Sequence, residues 1–225
     1  YETKDSWQAP YGMIFEIPAI LIEEIFSINE KNNIFKMRHK LTFTFYFLGI
    51  IGFFFFAKEV FQSNGKAFVS CLIYSLHPRI FAHSFFNPKD IIFLSLVSMS
   101  LYPCIRFINT GLKKWMVNAS IILGLAMSTR MVGIYLPFLV ILLYFGKKII
   151  ENSQYNLTDL KKYVYNVLVV IILSFSVLYL TTPYYWTNPI SRFIESFFVA
   201  KNFPWTGHYF FFGEYIQASQ SQSRY

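Results

Sequence analysis

The sequence predicts an all-α fold, a polytopic bundle of transmembrane helices, and three observations carry that reading. Only 14% of the 225 residues are Asp, Glu, Lys or Arg, against roughly 25% in an average soluble domain, while 55% are apolar. Several apolar runs approach the roughly 20 residues that cross a bilayer's hydrocarbon core. Lysines gather at the ends of those runs, as in Lys113-Lys114, Lys147-Lys148 and Lys161-Lys162.

Residues 1–38 read as an amphipathic juxtamembrane segment, because Ile14, Ile17, Leu21, Ile25 and Ile28 recur at steps of three and four and leave Glu16, Glu23 and Glu24 to water. Residues 39–182 read as the membrane bundle, with about six apolar segments, some shorter than a full crossing. The run LTFTFYFLGIIGFFFFAKEVF, within His39 to Phe61, makes the first span. Ala67 to Leu76 continue apolar until the polar stretch HPRIFAHSFFNPKD interrupts them, and Ile91 to Ile108 make the next span up to the NTG turn signal. Residues 115–146 are apolar apart from Arg130 and a few small polar positions. A hairpin there keeps Lys113, Lys114, Lys147 and Lys148 on one side of the membrane, so Arg130 is expected at its tip. A last span runs from about Tyr163 to Thr182. Residues 183–225 read as an aromatic-rich loop on the non-cytosolic side.

The net charge of +8 arises from 20 basic and 12 acidic residues. No basic stripe on a soluble fold is visible, so nucleic acid is excluded as a partner and membrane lipids are expected instead. Cys71 and Cys104 lie inside apolar runs without zinc-ligand spacing, and six residues between His77 and His83 make a poor metal pair on one helix. No cofactor is called for, although a divalent metal stays open. In the expected topology Lys58, Lys66, Arg106 and the paired lysines face the cytosol, while Arg79, Lys89 and Arg130 face the other side. Asn118-Ala119-Ser120 and Asn156-Leu157-Thr158 match a glycosylation sequon but fall on the cytosolic side, which makes them chance matches.

Depth turns this topology into a candidate site. Hairpin arms of about 14 to 16 residues rise only about 21 to 24 Å, short of the hydrocarbon thickness, so their tip should lie below the lipid surface. His77, Arg79, His83, Asn87, Lys89, Asp90 and Arg130 are then expected to converge in a recessed, water-accessible pocket, where unpaired charge is costly. Arg79, Lys89 and Arg130 suit a lipid-borne phosphate, Arg as a planar fork and Lys as a point charge. Asp90 and His83 suit general acid or base work on a hydroxyl. A blander reading stands beside each: snorkelling or ion pairing for the arginines, a hydrogen-bonded structural role for the histidines, and a local charge pair at a helix start for Lys89-Asp90.

The blocks SLHPRIFAHSFFNPKDI, GLAMSTRMVGIYLPF and TPYYWTNPISRF, flanked by YGMIFEIPA and NFPWTGHYFFFGEYIQA, resemble the phospholipid carrier-dependent glycosyltransferases of the GT-C type, the family 39 or protein O-mannosyltransferase-like group. The resemblance spans nearly the whole chain. It implies an integral membrane enzyme that moves a sugar from a polyprenyl- or dolichyl-phosphate donor to a hydroxyl acceptor on a protein, lipid or glycan. It also implies an acidic catalytic base, usually in an Asp-Glu pair after a first span. Neither that span nor that pair is present, and Asp5 is the candidate nearest the expected place. The chain is therefore expected to be an internal piece of a longer enzyme. Asn87, Tyr184, Trp186 and His208 are the candidates for sugar or acceptor contact, with Tyr185 and Trp205 beside them as stacking aromatics and an interfacial belt as the alternative for the tyrosines and tryptophans. The residue usage hints at an AT-rich bacterial genome, which places the protein in a plasma membrane with its site on the outer face. Two other classes remain in view: a non-catalytic or inactive subunit of such an enzyme, and a transporter of an anionic substrate.

Overall fold

The computed structural model describes residues 12–151, 157–201, 208–211 and 214–217. Among the described residues nine α-helices carry the fold, and four of them contain stretches long and apolar enough to cross a membrane: Lys31–Phe61, Pro88–Thr110, Met131–Ile150 and Lys161–Thr181.

Helix α1, Glu16–Ile25, is the amphipathic helix expected from the isoleucine spacing. It ends where Ser27 turns left-handed at φ 50°, with Ile28 N–H donating to the Glu23 carbonyl and Ser27 N–H to that of Glu24. Helix α2, Lys31–Phe61, starts eight residues before His39, so the polar stretch ahead of the first apolar run belongs to the same helix. Arg38 on that extension bonds Glu16 at 2.9 Å and Glu23 at 2.8 Å, which fastens α1 to α2.

Helix α3, Asn64–Ser75, is capped by the Ser63 hydroxyl, and it stops before His77-Pro78 because a residue preceding proline is driven out of the helical region. The stretch expected as a polar interruption is instead helix α4, Pro78–Phe86, which ends the same way before Pro88. Proline at the first helical position costs no hydrogen bond, so both helices begin cleanly. Together α3 and α4 make one broken return pass antiparallel to α2. Cys71 Sγ lies 3.8 Å from the Ile50 carbonyl, the Tyr46 hydroxyl donates to the Ser75 carbonyl at 2.7 Å, and Phe85 stacks on Phe43 at 5.0 Å.

Helix α5, Pro88–Thr110, runs parallel to α2. Gly49 abuts Ser95, Gly52 abuts Met99 and Glu59 pairs with Arg106, a register offset of 46 or 47 residues throughout. Gly111 at φ 63° closes α5. Helices α6, Lys113–Thr129, and α7, Tyr135–Glu151, form the expected hairpin, joined by an extended Arg130 and a 3-10 turn, Met131–Ile134. Each arm has 17 residues, slightly longer than the sequence suggests; α6, at about 25 Å, is short of a full crossing, whereas α7 with the 3-10 turn before it makes the 20-residue stretch Met131–Ile150, long enough to cross. Helix α8, Leu157–Thr181, packs closely on α6: a Cβ added at Gly124 would lie 2.5 Å from the Ser174 carbonyl oxygen, so only glycine permits this approach.

Between α5, α6, α7 and α8 the core is built on Phe107, Met116, Leu123, Tyr144, Tyr163 and Val170. Phe107 stacks on Tyr144 at 4.7 Å, and Asn166 donates to the Tyr144 hydroxyl at 2.9 Å. The region expected as an aromatic-rich loop contains a helix and a ribbon. A 3-10 turn, Pro183–Tyr185, leads to helix α9, Pro189–Lys201, and strands β1, His208–Phe211, and β2, Glu214–Gln217, pair antiparallel with His208 opposite Gln217. Proline and the aromatics hid α9 in the sequence, although Pro189 occupies the first helical position and Phe193 and Ser196 give it a packed face.

Candidate active site

One end of the bundle gathers the α4–α5 junction, the α6–α7 hairpin tip, the end of α8 with the start of α9, and the approach to α1. Asn87 sits at the junction because Pro88 ends α4 and begins α5. Its Oδ1 accepts from the Asp90 N–H at 3.2 Å, capping α5. That bond fixes the amide orientation, so Nδ2 donates to Asp90 Oδ2 at 2.8 Å and to His83 Nδ1 at 3.0 Å. His83 Nδ1 is therefore an acceptor, and the neutral ring carries its proton on Nε2.

Arg130 enters from the hairpin tip. Ser128 and Thr129 turn their hydroxyls back onto the carbonyls of Leu125 and Ala126, and Arg130 leaves the helix with φ −147° and ψ 129°. Its guanidinium pairs with Asp90 Oδ1. The result is a connected series, His83–Asn87–Asp90–Arg130, built from two helix ends 40 residues apart in sequence. Lys89 is half-buried beside it, close enough for the charges of Arg130 and Asp90 to act on it.

The register between α2 and α5 sets the depth of this series. Asp90 lies level with Phe43 and Thr44, just inside the apolar run that starts at Leu41, about 3 to 5 Å in. Exposed ion pairs contribute only about 0–1 kcal/mol in water. At the edge of hydrocarbon the pair matters more as a way of holding two charges where lone charge is costly.

The remaining candidates are distributed as follows. Arg79 is exposed on the face of α4 that carries His83, roughly two turns from Asn87, and makes no ion pair among the described residues. His77 is the exposed N-cap of α4, and its side chain makes no capping bond. Trp186 is clasped to α8, its Nε1 donating to the Tyr179 carbonyl at 2.8 Å, and is half exposed. Tyr184 accepts from Arg192 at 3.1 Å, and that guanidinium lies 4.7 Å from its ring centroid. Burial, helped by Glu195, pushes the Tyr184 phenol above its ordinary value, so it is a neutral hydroxyl at physiological pH. His208 stands on β1, and Asp5 lies outside the described residues. Among the described residues no group of three or more His, Cys, Asp or Glu is placed to hold a metal ion.

Two further contacts support this end. Tyr185 is buried, its hydroxyl 3.3 Å from Ser196 Oγ and 3.5 Å from Met131 Sδ, which braces α9 against the residue next to Arg130. Gly12 lies across the tip of α6, its N–H donating to the Ser128 carbonyl at 2.6 Å, while Met13 N–H donates to the Thr181 carbonyl at 3.0 Å. A Cβ at Gly12 would fall 2.6 Å from that of Ser128, so the close approach depends on glycine. No periodicity announces either contact; the glycine after Pro10-Tyr11 is the only local hint.

No curated protein and no solved structure matches the chain. A family model described as dolichyl-phosphate-mannose-protein mannosyltransferase matches residues 17–180, from α1 through α8 and including every member of the His83–Arg130 series. With most of its length inside that match, the chain belongs to the dolichyl-phosphate-mannose-protein mannosyltransferase family, membrane glycosyltransferases of the GT-C type.

Proposed function

We propose that this protein transfers a sugar from a polyprenyl- or dolichyl-phosphate-linked donor to a hydroxyl acceptor, with the His83–Arg130 end of the bundle on the non-cytosolic face of a bacterial plasma membrane. The observation that carries the reading is the Asp90–Arg130 pair with Lys89 beside it, two cations and one carboxylate held at the edge of the apolar zone. A phosphate anchored by a lipid tail reaches that depth, and a soluble anion has no reason to.

In the reaction the acceptor oxygen attacks the anomeric carbon as its proton passes to a carboxylate. The bond from that carbon to the phosphate oxygen breaks, and the donor leaves as the lipid phosphate monoester. Arg130 and Lys89 oppose the charge that grows on the departing oxygens. Both Asp90 oxygens are engaged, by Arg130 and Asn87, so Asp90 positions Arg130. For the proton acceptor we propose Asp5, the acid that the family resemblance nominates. His83, with its proton on Nε2, donates toward the leaving phosphate or a sugar hydroxyl, and Arg79 receives the donor along α4.

The test is transfer of labelled sugar from a polyprenyl-phosphate donor by the purified full-length enzyme in detergent. Arg130→Ala and Lys89→Ala should each depress transfer while the protein stays folded; undiminished transfer in both removes the phosphate site.

A further inference from the structure

The opposite end of the bundle carries a second arrangement, unrelated to sugar transfer. Lys58, Lys113, Lys114, Lys147 and Lys148 lie at that end, as does Arg106, whose guanidinium is paired with Glu59 at 3.1 Å. The Trp115 indole lies between two of these cations, with Arg106 at 5.5 Å and Lys114 at 5.3 Å from its ring centroid. Two donors on this platform, Trp115 Nε1 and Arg106 Nε, are buried without a hydrogen-bond partner among the described residues. Just inside it a groove of about 240 Å³ runs between α5 and α6, lined by Pro103, Trp115, Asn118, Ile121 and Ile122. Asn118 is exposed on this otherwise apolar wall and makes no hydrogen bond among the described residues. An amide facing hydrocarbon without a partner is costly, so its place there calls for an explanation.

Position along α6 supplies one. Lys114, Asn118 and Ile122 follow one another at steps of four and so share a helix face at intervals of about 6 Å. Cation, amide and aliphatic side chain thus descend from the basic end toward the bundle's middle. A glycerophospholipid presents phosphate, ester carbonyl and acyl chain in that same order. We infer that the α5–α6 groove binds one glycerophospholipid with a net negative headgroup, its phosphate at Lys114, its ester oxygen at the Asn118 amide and its chain along Pro103, Ile121 and Ile122. Charge selects among lipids: the lysines around the groove favour an anionic headgroup over a zwitterionic one.

Native mass spectrometry of the full chain in detergent tests this with three probes: dioleoyl phosphatidylglycerol, dioleoyl phosphatidylcholine and glycerol 3-phosphate. One phosphatidylglycerol should be retained in preference to phosphatidylcholine, and Lys114→Gln should lower its retention about fivefold, the value of one lysine near an anionic lipid. Asn118→Leu, which removes only the amide, should lower retention while leaving the thermal midpoint intact, and it carries the test if Lys114→Gln fails to fold. Lys201→Gln, on α9 at the other end, serves as the control that keeps its lipid. Equal retention of the two lipids, retention unchanged in both groove variants, or binding of glycerol 3-phosphate alone at the same level would overturn the assignment.

Discussion

Each end of the bundle has an arginine on one helix paired with a carboxylate on another, and the two pairs do different work. Arg106 is bonded to Glu59 and lies 5.5 Å from the Trp115 ring centroid, so its described contacts join α5 to α2 and α6. Arg130 has left its helix to reach Asp90, which is itself gripped by Asn87, and a second cation, Lys89, stands beside it. The first pair ties α2 to α5. The second ties the hairpin tip to the start of α5 and holds Arg130 and Lys89 together at the edge of the apolar zone, on the kind of rigid support that a ligand site needs.

The sharpest way to break this contrast is Arg130→Ala, which should reduce transfer about 10²- to 10³-fold, the loss typical of removing one group that stabilises developing negative charge. Matched neutralisations come next. Asp90→Asn should lower transfer about tenfold to a hundredfold by letting Arg130 drift, chiefly in kcat. Glu59→Gln should leave transfer alone and lower the thermal midpoint by about 2–4 °C. Equal effects of the two on transfer would show that the ends do not differ as described. Gly12→Ala forces its Cβ against Ser128, so the segment before α1 must lift; kcat should fall with little change in donor KM, and stability should drop by about 1–3 kcal/mol. The smallest effect belongs to Asn87→Ala, which removes the α5 cap at a cost of about 1 kcal/mol, read as a lower unfolding midpoint.

Much of the bundle was legible because charge placement and apolar run length are local properties. Lys113-Lys114 and Lys147-Lys148 were enough to turn the chain at Arg130. Helix α4 was hidden because Arg79 and His83, with His77 just before them, make a nine-residue stretch look polar, while the prolines at its two ends read equally well as loop signals. The early start of α2 was hidden for a similar reason: KNNIFKMRHK resembles a surface segment until Arg38 is seen between Glu16 and Glu23. At the site, residue types alone nominated His83, Asn87, Lys89, Asp90 and Arg130. Their order of connection was not readable, since Asp90 and Arg130 are 40 residues apart and no pattern specifies which carboxylate meets which arginine. Tyr185 could not be told from its neighbours Tyr184 and Trp186, which look equally aromatic, and only burial separates them.

The parallel alignment of α2 and α5 bears on how the protein is made. Two neighbouring helices that point the same way cannot dock as a hairpin while they emerge from the ribosome. The α3–α4 return must first be threaded back through the bilayer before Gly49 can meet Ser95. The seam between α2 and α5 is thus a late event in biogenesis, joined after both segments are already in the lipid. A bulky residue at Gly49 should therefore register as poor assembly yield from the translocation machinery, leaving the insertion of either segment by itself undisturbed.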